Sequence, residues 1–79
     1  MTSYTVRLFW FDGRARSLQL SADDVLLAAK SAVPKFDDLG EHVDGAAGII
    51  VEREDGAFTA FRPSDVLMSM RAGHSGDRA

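Results

Sequence analysis

The sequence predicts an α+β fold: a mainly antiparallel sheet of four to five short strands in the order ββαββ, with a short final element, packed against one helix. Three observations carry this expectation. Asp12-Gly13 and Asp55-Gly56 each lie between runs rich in aromatic and β-branched residues, which is the pattern of a β-hairpin. One stretch with helical spacing of apolar residues lies between the two hairpins. The chain has 79 residues and no cysteine, so one small apolar core has to stabilise it without disulfides or Cys-ligated zinc. One domain over residues 1–72 is expected, followed by a flexible tail at 73–79, where Gly73 to Ala79 are small and polar.

In the first hairpin the register follows from the pattern. A two-residue Asp12-Gly13 loop would mix apolar and polar residues on each face. A three-residue loop, Phe11-Asp12-Gly13 with glycine in the left-handed position, pairs Val6 with Leu18 and Tyr4 with Leu20. The second register gives one apolar face of Tyr4, Val6, Leu8, Leu18 and Leu20, with Trp10 at its end. Thr5, Arg7, Phe9, Ser17 and Gln19 occupy the other face, which strands the Phe9 ring among polar groups.

Ser21 with Asp24 three residues later reads as a capping box opening a helix. Ala22, Val25, Leu26, Ala29 and Val33 form its apolar stripe. Pro34 disfavours helical geometry at Val33, so the regular helix is expected to end there, with Phe36 and Leu39 as anchors for a further turn. From Pro34 to Gly48 no period is sustained, and Asp37, Asp38, Glu41 and Asp44 face only Lys35, which predicts a long acidic connection.

The second hairpin runs from Gly48 to Arg62 around Asp55-Gly56, its register left open because Phe58 and Phe61 do not alternate onto a single face. After Arg62-Pro63-Ser64-Asp65, two periods compete. Val66, Met68 and Met70 alternate as an edge strand would, and Val66, Leu67 and Met70 could line a short helix. A turn followed by a strand is the preferred reading. The expected core is Val6, Leu8, Leu18, Leu20, Val25, Leu26, Ala29, Val33, Ile49, Val51 and Phe61.

Charge narrows the function classes. Residues 1–20 carry a net +2, residues 21–56 a net −6 and the remainder +1. A single-sign field repels phosphate backbones and steers partners of opposite sign, so direct nucleic-acid binding is disfavoured even though Arg7, Arg14 and Arg16 share a hairpin with Phe9, Trp10 and Phe11. Catalysis is not expected either: His42 in the acidic connection and His74 in the tail are the only histidines, and neither sits where a rigid acid–base pair is predicted. The carboxylates around His42 match no EF-hand or zinc spacing, and no P-loop lysine follows Gly45-Ala46-Ala47-Gly48, so neither metal nor cofactor is expected. No apolar run approaches the ~20 residues of a membrane span, and Met1 to Tyr4 lack a basic start, which predicts a cytoplasmic chain with no membrane partner. Candidate partner-binding residues are Asp37, Asp38, Glu41 and Asp44 in the acidic connection, with Phe9, Arg7 and Trp10 on the first hairpin.

The order of elements, closing on Ala60-Phe61-Arg62-Pro63-Ser64-Asp65-Val66, and the acidic character of so short a chain resemble small phage-encoded inhibitors of the anti-CRISPR kind. The resemblance spans Tyr4 to Met70 and implies a non-enzymatic protein that docks on a CRISPR effector complex and blocks DNA or nuclease access. The cluster from Asp37 to Asp44 would be its contact with a basic channel. Two hairpins around one helix also resemble ubiquitin-like β-grasp domains. That resemblance implies an adaptor or self-associating module, monomer or homodimer, without covalent conjugation, because Gly76-Asp77-Arg78-Ala79 replaces a diglycine end.

Overall fold

A computed structural model describes residues 1–78, with side chains described over residues 1–71. Strand β1 (Thr2–Phe9) and strand β2 (Ala15–Ala22) form the first hairpin, helix α1 (Val25–Asp38) follows, and a 3-10 turn (Val43–Gly45) leads to the second hairpin of β3 (Gly48–Arg53) and β4 (Phe58–Phe61). Helix α2 (Pro63–Arg78) closes the described chain. The sheet order is β2-β1-β3-β4, and every neighbouring pair runs antiparallel.

Both hairpins turn on the same chemistry. Tyr4 pairs with Leu20 and Val6 with Leu18, as the three-residue loop requires, and the Trp10 N–H donates to the Arg14 carbonyl at 3.0 Å. Gly13 has φ +93°, Gly56 has φ +91°, and in each turn the aspartate one residue earlier accepts the backbone N–H of the residue after the glycine at 3.0 Å. These are left-handed positions that glycine occupies without a Cβ penalty. The second hairpin therefore also has a three-residue loop, Glu54-Asp55-Gly56, closed by the Arg53 N–H donating to Ala57, and its register is Ile49 to Phe61 and Val51 to Thr59. That register divides the aromatics: Phe61 points inward, half-buried, and Phe58 lies on the other face, 68% exposed.

Helix α1 starts three residues later than the capping box predicts. Ser21 remains in β2, and Asp24 is the N-cap, its Oδ1 accepting from the Leu27 N–H at 2.8 Å. At the other end the helix runs through Pro34 to Asp38. A proline in the tenth position removes one hydrogen bond, but burial of Phe36 two residues further on outweighs the loss. The helix stops in a Schellman motif: Glu41 N–H donates to the Phe36 carbonyl at 2.9 Å, Gly40 N–H to Asp37 at 3.0 Å, and Gly40 takes φ +81°. The segment expected as a long irregular connection is thus helix to Asp38, a glycine cap, and a 3-10 turn pinned by buried Val43.

The final element is a helix and not a strand. Pro63 occupies the first helical position, where its missing N–H is harmless, and the Arg62 carbonyl accepts from Asp65 and Val66. Val66 is fully buried, Leu67 and Met70 are half-buried, and Met68 is exposed, so of the two competing periods the helical one holds: Leu67, and not Met68, joins Val66 and Met70 on the covered side. Two helices, not one, therefore cover the sheet. The tail expected at residues 73–79 falls outside the residues described in full.

One core joins these elements: Tyr4, Val6, Leu8 and Ala22 from the first hairpin, Ala28, Ala29, Ala32, Val33 and Phe36 from α1, then Val43, Ile49, Val51 and Val66. Val6, Leu8, Ala29, Val33, Ile49 and Val51 were expected. Leu18, Leu20, Val25, Leu26 and Phe61, expected inside, are only half-buried, because β2 and β4 are the sheet edges and the buried stripe of α1 is set by its alanines. Those alanines let the helix backbone approach the sheet closely, and Phe36 fills the space at its far end.

Candidate functional site

The last turns of α1, the 3-10 turn and α2 do not close on one another. Between them lies an open hollow of about 600 Å³, lined by Val33, Val43, Leu67 and Met70 as an apolar floor and by Asp37, His42, Asp44 and Arg71 as a polar rim. Each wall has a local cause. Asp37 sits in the final turn of α1 that the Schellman cap fixes, Asp44 in the 3-10 turn anchored by buried Val43, and Leu67 and Met70 are presented one turn apart on α2.

This arrangement divides the four acids that the sequence groups together. Asp37 and Asp44 flank the hollow. Asp38 is exposed on α1 and does not line it. Glu41 is turned away into an ion pair with Arg16 of β2, its Oε1 3.6 Å from the Arg16 Nε and its side chain only 14% exposed. It fastens the end of α1 to the first hairpin and is not available as a docking charge. His42, whose role the sequence left open, stands on the rim between the two aspartates in chain order.

The first-hairpin candidates do not assemble into one surface. Trp10 is half-buried on the inner side, with the Arg14 guanidinium 4.8 Å from its ring centroid, a cation–π contact. Arg14 also pairs with Asp12, Nε to Oδ2 at 2.9 Å. The Arg14 backbone N–H, and then its side chain, hold the Asp12 carboxyl below its usual value of 3.8. Arg7 and Phe9 lie on the opposite, open face. Arg7 is exposed beside Ile50, and the Phe9 ring covers Gly48 so closely that an added Cβ there would stand 2.8 Å from its Cε1. Phe9 is therefore a packing residue of the open face, and Arg14 and Arg16 are already paired, which disperses the basic-aromatic platform that single-strand binding would use.

A second depression, about 350 Å³, crosses Ser3, Thr5, Gln19 and Ser21 to Glu52 and Glu54. It is polar and has no apolar anchor beyond the edges of Tyr4 and Leu20. The hollow at α2 is the stronger candidate because apolar area provides the affinity and the flanking charges the selectivity. Sequence reasoning missed Leu67 and Met70 as site residues by preferring the strand period for their segment. The helical spacing of Val66, Leu67 and Met70 was the signal that could have found them.

Among the described residues, no helix is long and apolar enough to cross a membrane, and no group of three or more His, Asp or Glu side chains is placed to hold a metal ion. Comparison with protein-family models, with curated proteins and with solved structures finds no match to this chain.

Proposed function

We propose that the chain is a non-enzymatic protein-binding module that docks through the hollow between α1, the 3-10 turn and α2. Its partner would present an apolar side chain flanked by Lys or Arg. The observation that supports this is the pairing of an apolar floor, Val33, Val43, Leu67 and Met70, with Asp37 and Asp44 on the rim. Carboxylates at the edge of a desolvated patch steer a basic partner in and set its register, and the floor supplies the surface removed from water. The specific form implied by the sequence resemblance is inhibition of a CRISPR effector complex, whose nucleic-acid channel is a surface of the matching charge.

Binding to purified effector complexes, followed by interferometry across a salt series, tests both levels of the proposal. Salt-sensitive binding that falls about tenfold in Asp37→Asn/Asp44→Asn and is unaffected by Asp38→Asn supports the hollow as the contact. Equal losses at Asp38 would move the contact to the outer surface of α1 and overturn the hollow. Absence of binding to every effector complex tried would overturn the inhibitor reading. For the broader reading, a peptide alternating Arg and Leu should shift the amide resonances of Val33, Asp37, Val43 and Leu67, and a spectrum that does not move would reject it.

A further inference from the structure

The two edges of the sheet are treated differently. Edge strand β4 has four residues and ends beside Arg62-Pro63, where the chain turns into α2. Edge strand β2 has eight, Ala15–Ala22, with no proline and a single charge, Arg16. An edge of that length, blunted only near one end by Arg16, is a template for another strand.

We infer that β2 pairs with β2 of a second copy of this chain, antiparallel about a two-fold axis at Gln19, joining two four-stranded sheets into one. Phase, register and charge each carry the argument. The Trp10 N–H bond to the Arg14 carbonyl sets the phase of β2: Arg14, Arg16, Leu18, Leu20 and Ala22 turn their backbone groups toward β1, and Ala15, Ser17, Gln19 and Ser21 turn theirs outward. A two-fold at Gln19 uses those outward groups, pairing Gln19 with Gln19 and Ser17 with Ser21 of the second copy. On the inner face the same register sets Leu18 against Leu20 of the second copy, twice by symmetry. These are two of the half-buried leucines left at the margin of the core, so the seam continues the core across both copies. Arg14 and Arg16 stand at one end of β2, each already ion-paired within its own copy, with Asp12 and Glu41, and Asp23 and Asp24 lie just beyond the other end. An antiparallel two-fold sets no like charges against each other, since Arg16 falls opposite Ala22 and not another arginine. None of these residues lines the hollow beside α2, so the inference stands or falls separately from the proposed function.

Sedimentation equilibrium on the full chain tests it, with Gln19→Lys and Gln19→Glu as variants at an exposed position that bonds no partner in the monomer. The expected result is a wild-type dimer that dissociates over the micromolar range. Each variant alone should weaken it about fivefold, because like charges then meet on the axis, and an equimolar mixture of the two should restore association as a mixed dimer. A wild-type chain that stays monomeric up to about 1 mM overturns the inference. So does a dimer indifferent to both variants, because its interface must then lie elsewhere. Circular dichroism of each variant separates loss of pairing from loss of folding.

Discussion

Phe9 illustrates how one residue can look functional in the sequence and turn out to be structural. Its position on the polar face of β1 left a large ring without an obvious neighbour. The neighbour is Gly48, directly across on β3, whose missing side chain is replaced by the ring. An aromatic laid over a strand glycine restores packing that glycine cannot supply. Gly48→Ala should accordingly destabilise the protein by about 1 kcal/mol or more by displacing the ring, although alanine is the better strand former. In a Phe9→Ala background the same change should be neutral or stabilising, and a double-mutant cycle by urea unfolding would read the difference. This contact was invisible in the sequence because it depends on the β1–β3 register, which no turn specifies.

At the scale of elements, local signals were legible where a few neighbouring residues decide the outcome. The turns at Asp12-Gly13 and Asp55-Gly56, the register of the first hairpin and the existence of α1 followed from spacing alone, whereas the register of the second hairpin stayed open. The start of α1 did not, because Ser21 and Asp24 are both competent caps and the choice is made by β1, which holds Ser21 in a ladder opposite Ser3. Asp24→Ala should therefore cost about 1 kcal/mol of unfolding free energy, whereas Ser21→Ala should change it by only a few tenths. Equal effects would contradict the observed cap. The same competition explains the two larger differences. Pro34 looked like a terminator until Phe36 gave the helix a reason to continue, and the segment after Pro63 looked like a strand until Leu67, and not Met68, packed beside Val66 against the core. Of the candidate site, Asp37 and Asp44 were legible as acids in one segment. Their separation from Glu41 was not, because it depends on where Arg16 lies.

For the whole molecule, the decisive quantity is how little material holds the two layers together. Among the described residues, Phe36 is the only buried aromatic side chain apart from Tyr4, and its buried neighbours on α1 are, Val33 aside, alanines that contribute proximity more than area. Phe36→Ala should cost about 3–5 kcal/mol. A domain of this size has total stability of about 4–12 kcal/mol, so that single change should bring the urea midpoint close to zero or abolish the transition. A variant that keeps most of its stability would mean that α1 is held mainly by its other contacts. The distribution of charge over the molecule was readable from the chain, but its pairing was not: Asp12, Asp55 and Asp65 each bond an arginine two or three residues away, so the net acidity is concentrated on fewer free carboxylates than the composition implies.

The shared design of the two hairpins bears on time as well as on shape. Each closes over a three-residue loop whose aspartate and left-handed glycine preorganise the turn, so β1–β2 and β3–β4 can form early from contacts near in sequence. The remaining step joins β1 to β3, whose partners, such as Val6 and Val51, are separated by most of the chain. Closing that distance is costly in entropy, and it is repaid only when α1 covers the seam. Two preformed hairpins waiting on one central pairing make β1 the strand on which assembly turns, and until it is flanked on both sides its free edge is open to the wrong neighbour.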